Sequence, residues 1–87
     1  MIEQNWIPKR TTGLFTRRSD TGTLIETYHD AYETNQVGAF IWSQCGVGLS
    51  VEEIVARTAE KYEAGLDEVR DSVVGFVTDL RAKGFLE

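Results

Sequence analysis

The spacing of apolar residues changes character once along this chain, near Asn35. Before it, apolar residues come in short runs. Leu14 to Arg18 and Thr23 to Tyr28 are rich in aromatic, β-branched and aliphatic side chains, and Ser19-Asp20-Thr21-Gly22 between them has the chemistry of a hairpin turn. These segments predict two antiparallel strands. His29-Asp30 makes a second short connection to Ala31-Tyr32-Glu33-Thr34, which is too short for a helix and runs straight into a capping asparagine. It predicts a third strand, at the edge of the sheet in a simple meander. Upstream, Trp6-Ile7-Pro8 marks an extended arm over residues 1–12, because proline lacks the N–H that a helix interior or a central strand would use.

After Asn35 the period becomes helical. Asn35 can cap a first helix in which Val37, Phe40, Ile41 and Cys45 share a face, ended by Gly46 and Gly48. Ser50-Val51-Glu52-Glu53 is a capping box. Behind it Val51, Ile54, Val55, Thr58, Ala59 and Tyr62 form one stripe of a second helix. Gly65 allows a break, Asp67 and Glu68 suit the positive first turn of a third helix, and Gly84 suits the residue after its C-cap. On that helix Leu66, Val69, Val73, Phe76, Val77 and Leu80 make a core stripe. Arg70, Val74 and Arg81 extend one edge of it, and Phe85-Leu86 are expected to fold back onto the core. The fold class is therefore α+β: a three-stranded antiparallel sheet followed by a three-helix bundle, as in a winged helix-turn-helix.

Composition narrows the function. At 87 residues the expectation is one domain over 1–87 with one core. A hydrophobic fraction of 41% rules against disorder. Cys45 is the only cysteine, so no disulfide framework exists and a reducing cytoplasm is the expected compartment. No apolar run approaches the roughly 20 residues that span a bilayer, and no signal pattern opens the chain. No membrane partner is expected.

Catalytic and metal chemistry fail on inventory. A structural zinc site needs four ligands and a catalytic one usually three, whereas this chain has one histidine, His29, and one cysteine. Cys45 falls on an apolar helix face, where a buried structural thiol is the simpler reading. The glycines match neither a dinucleotide fingerprint nor a phosphate loop, so no metal, cofactor or catalytic residue is expected. DNA binding is the rival that the three helices invite, but a DNA reader needs a basic footprint. The chain carries a net charge of −5, and residues 25–68 hold nine acids against Arg57 and Lys61. No nucleic-acid partner is expected.

Asn35-Gln36-Val37-Gly38-Ala39-Phe40-Ile41-Trp42, Cys45-Gly46, Ser50-Val51-Glu52-Glu53-Ile54, Tyr62 and Leu80-Arg81-Ala82-Lys83-Gly84-Phe85-Leu86 resemble, in residues and in spacing, the PqqD-like proteins. These are the leader-recognition domains (RiPP recognition elements) of ribosomally made, post-translationally modified peptide pathways. The resemblance runs from about Leu14 to the end. A stand-alone copy of this size is most similar to the leader-binding half of the split B protein of lasso peptide systems. Its implied partners are a precursor leader peptide, a leader peptidase that forms the cysteine-protease half, and an asparagine-synthetase-like cyclase. The alternative within the family is a PqqD-type peptide chaperone serving a radical enzyme.

The resemblance also implies a site: a leader added as an extra strand on the third strand, in a groove shared with the third helix. The matching positions are Ala31, Tyr32, Glu33 and Thr34 on the strand and Arg70, Val73, Val74, Val77 and Arg81 on the helix. Family members often carry an aromatic residue at the position of Ala31 and an aliphatic one at that of Thr34, so the strand side here is expected to be shallower. Read from the residues alone, Val73 is core first, Tyr32 can close the core or face a peptide, and Arg70 and Arg81 can simply pair with neighbouring acids.

Overall fold

The computed structural model describes residues 3–87, so the first two residues of the expected arm lie outside it. Three antiparallel strands, β1 (Phe15–Arg18), β2 (Thr23–Glu26) and β3 (Ala31–Glu33), precede three helices, α1 (Gln36–Gln44), α2 (Val51–Tyr62) and α3 (Leu66–Ala82). The sheet is a meander in the order β1-β2-β3. Arg17 stands opposite Leu24 and Ile25 opposite Tyr32, which fixes the register of both pairs. One face of the sheet packs on the helices through Ile25, which is fully buried, and Tyr32.

The strands are shorter than the apolar runs. Leu14 lies before β1, Thr27 and Tyr28 lie beyond β2, and Thr34 lies beyond β3. Thr27 is taken by a turn, its N–H donating to the Asp30 carbonyl at 2.8 Å and its Oγ1 accepting from the N–H groups of His29 and Asp30. Thr34 is buried, and its Oγ1 accepts from Thr23 N at 3.0 Å while donating to the Asn35 carbonyl at 2.9 Å. It locks the strand-to-helix corner. Gly22 in the first turn sits so close to the Thr34 and Asn35 carbonyls that no Cβ could fit, which ties the hairpin tip to the same corner.

The caps follow from their side chains. Asn35 Oδ1 accepts from Gly38 N at 2.8 Å, and Ser50 and Glu53 exchange bonds at 3.0 and 3.2 Å in a closed capping box. α1 is rotated by one residue from its expected face: Gly38, Ile41 and Trp42 are buried, whereas Val37 is exposed and Phe40 half-buried. The reason is volume. The bulkier Trp42 fills the core, and Gly38 lets Phe76 and Thr34 approach where a side chain would stand. Tyr62 and Leu66, also expected in the core, are exposed; Leu66 is the first residue of α3, at the far end of its stripe.

The N-terminal arm is pinned rather than loose. Lys9 and Glu87 exchange backbone bonds at 2.9 and 2.8 Å, Thr11 N donates to Phe85 O, and Val51 N donates to Trp6 O at 2.8 Å. Arg10 lies 4.3 Å above the Trp42 ring, and its Nη2 donates to the Trp42 carbonyl at 2.7 Å. This closure buries Phe85 and Leu86, which fold back after Gly84 takes a positive φ of 85°.

Cys45 ends α1 as a buried thiol. Burial pushes its pKa up to about 11 from an ordinary 9.0, against a smaller opposing pull from Arg10. Between those values the unfolded chain gives up a proton that the folded chain keeps. Stability from this group is therefore full below pH 9 and is lost as pH rises towards 11. Denaturant melts at pH 8 and pH 10.5 should differ more for the parent chain than for Cys45→Ala, and an equal difference would show that the thiol is not desolvated.

Candidate functional site

Among the described residues β3 pairs only with β2, so its other side is free. Which backbone groups it offers follows from the ladder. Thr27 N bonds to Asp30 O and Thr34 N to Thr23 O, both at 2.8 Å. In an antiparallel pair the bonded residues alternate. Asp30, Tyr32 and Thr34 therefore turn their backbones to β2, and Ala31 and Glu33 turn theirs outward. The free edge presents two N–H and two C=O groups.

An aromatic wall stands beside that edge. The Tyr32 ring meets Phe76 edge-on at 6.5 Å and Phe85 at 6.3 Å, and Lys83 Nζ lies 5.6 Å from the same ring. Asp79 holds Lys83 at 3.2 Å. Between them lies a hollow of about 280 Å³ lined by Asp30, Ala31, Tyr32, Lys83 and Phe85. It is open, part apolar, and flanked by Asp30 and the Lys83–Asp79 pair. An extended chain laid on it would gain backbone bonds and an apolar seat. Among the described residues no three His, Cys, Asp or Glu side chains gather as metal ligands.

The nine expected site residues divide into four groups. Ala31, Tyr32 and Glu33 form the free edge, while Thr34 is buried in the corner described above. Val73 and Val77 are wholly buried in the core and expose nothing to a ligand. Arg70, Val74 and Arg81 share the opposite edge of α3. Arg70 is bonded to Glu52 at 3.0 Å and to Asp67 at 3.3 Å, Arg81 lies 4.8 Å over Trp6, and Val74 is half-buried against the core. At about 100° per residue, Arg70, Val74 and Arg81 stand well over a quarter-turn from Phe76 and Lys83 around the axis. The α3 edge beside β3 is instead made by Phe76, Asp79 and Lys83, with Phe85 following. The signal for it was Phe76 and Lys83 seven residues apart; nothing in the periodicity says which edge of a stripe meets the sheet.

Residues 18–86 match the family model described as "Coenzyme PQQ synthesis protein D (PqqD)". The chain belongs to the PqqD family. Among curated protein sequences none matches it. Two solved structures share its fold. One is TbiB1 in complex with the TbiA(beta) leader peptide, 23% identical, covering 91% of this chain and 94% of that one, with a TM-score of 0.81. The other is the PqqD truncation of Methylobacterium extorquens PqqCD, a stand-alone RiPP recognition element solved by NMR. It is 12% identical and covers 100% of this chain and 95% of that one, with a TM-score of 0.85. At those identities the likeness carries the PqqD fold. No helix among the described residues is long and apolar enough to cross a membrane.

Proposed function

We propose that this chain captures the leader of a ribosomally made precursor peptide as a fourth strand on β3 and presents it to modifying enzymes without catalysis of its own. The observation that carries the reading is the free β3 edge, with the outward groups of Ala31 and Glu33 beside the Tyr32–Phe85 hollow, in a PqqD-family chain. Magnitudes say what such a site needs. Four backbone bonds at about 0.5–1.5 kcal/mol each supply about 2–6 kcal/mol, short of the roughly 8 kcal/mol of micromolar binding. Apolar leader side chains must supply the rest, at about 1.5–3 kcal/mol for each one fully buried. The hollow takes such an anchor against Tyr32 and Phe85, and leaders of different sequence can share the backbone bonds.

The enzymes served are a leader peptidase and a cyclase of lasso peptide synthesis, in the cytoplasm. TbiB1, which shares the fold, was solved with a leader peptide bound. A second reading, a PqqD-type chaperone serving a radical enzyme, draws on the family model's own description. Neighbouring reading frames separate the two. Titration calorimetry with the leader and core halves of a candidate precursor tests the adaptor role. The leader half is expected to bind one to one and the core half not at all. Cleavage or modification of either half by the purified chain alone would overturn the proposal.

A further inference from the structure

The sheet has a second free edge, and it carries the opposite charge. Among the described residues β1 pairs only with β2, and Ser19 N bonds to Gly22 O at 3.0 Å, so alternation turns the backbones of Thr16 and Arg18 outward. Thr16 stands opposite the buried Ile25, which places the side chains of Thr16 and Arg18 on the helix side of the sheet. There a groove of about 630 Å³ runs between β1 and the helices. Its floor is aromatic. Phe40 and Tyr62 meet edge to face at 5.9 Å, with Lys61 Nζ within 5.8 Å of both rings. Its lining holds Arg17, Arg18 and Lys61 and no carboxylate, although the chain carries a net −5. Glu26 occupies Arg17 at 3.0 Å, whereas Arg18 and Lys61 are in no ion pair among the described residues.

We infer that the β1 edge docks an extended acidic segment of a partner protein, added as a strand, with carboxylates on Arg18 and Lys61 and an apolar side chain over Phe40 and Tyr62. Charge selects this occupant. A second copy pairing β1 to β1 would bring two Arg17-Arg18 pairs together, and like charges across strands repel. A nucleic acid needs a broad basic footprint, and this groove offers two free cations on an acidic chain. Because β1 and β3 are opposite edges of one sheet, both can be filled at once. The chain would then bridge a peptide on β3 and an enzyme on β1.

The test uses the full ¹⁵N-labelled chain and two capped eight-residue peptides, one alternating glutamate with valine and one alternating lysine with valine. The glutamate peptide should shift the amides of Thr16, Arg18, Phe40 and Tyr62, more weakly as salt rises. Arg18→Glu and Lys61→Gln should each weaken it, by about five- to tenfold for the charge reversal, with circular dichroism unchanged. Leader binding to β3 should be the same in both variants, so failure here leaves the β3 reading standing. Equal shifts from the lysine peptide, shifts confined to β3, self-association of the chain, or stronger shifts of these amides by an oligo-dT strand would each overturn the inference.

Discussion

Glu33→Pro is expected to weaken leader binding by about ten- to a hundredfold while the chain stays folded. The Glu33 N–H points away from β2, so proline removes no bond of the native sheet. Proline is tolerated on edge strands for that reason, and the extended backbone it asks of the preceding residue is the one Tyr32 already has. The donor is lost only to an incoming strand. A group left without its partner in the resulting interface costs about 1–3 kcal/mol, which is the stated range in affinity. The neighbouring substitution separates binding from folding. Tyr32→Pro would remove a ladder bond to Ile25 and should disrupt the sheet itself. Circular dichroism and calorimetry on both variants check this, and a Glu33→Pro chain that is folded and binds normally would move the leader off β3.

Trp42→Ala should cost about 3–5 kcal/mol, much of the roughly 5–15 kcal/mol that holds a small protein folded. Trp42 is 1% exposed and among the largest buried side chains. Its ring also seats the guanidinium of Arg10, whose backbone bridges to Leu86 and closes the terminal segments over the helices. Removing the ring opens a cavity and frees the arm together. Trp42→Phe should be far milder, because Trp42 Nε1 is buried without a hydrogen-bond partner among the described residues and phenylalanine forfeits no bond there. Thermal melts of the two variants decide it. Equal losses would mean that the ring's size is not what holds this core.

The fold was largely legible because its signals are local. The turn residues Ser19 to Gly22, the Asn35 cap and the Ser50–Glu53 capping box each act within four residues, and they mark three strands and three helices in the right order. Fine placement was less so. The periodicity of α1 fits a face with Val37 and Phe40 as well as one with Gly38 and Trp42, and only packing against Phe76 selects the second. The same limit governs the site. The family resemblance named the edge strand, and Ala31, Tyr32 and Glu33 lie on it, but the α3 stripe has two edges of similar composition. Arg70 and Arg81 turn to α2 and the arm, through Glu52 and Trp6, and these are long-range contacts that no local pattern encodes. Phe76 and Lys83 take the place beside β3 because both meet the Tyr32 ring there, as Phe85 also does.

Amide exchange tests the strand-addition account most directly, because alternation predicts it residue by residue. Adding the precursor's leader should slow exchange at Ala31 and Glu33, whose N–H groups are free in the sheet, and leave Tyr32 and Thr34, already bonded to β2, little changed. Protection absent from Ala31 and Glu33, or appearing instead at Thr16 and Arg18, would contradict it.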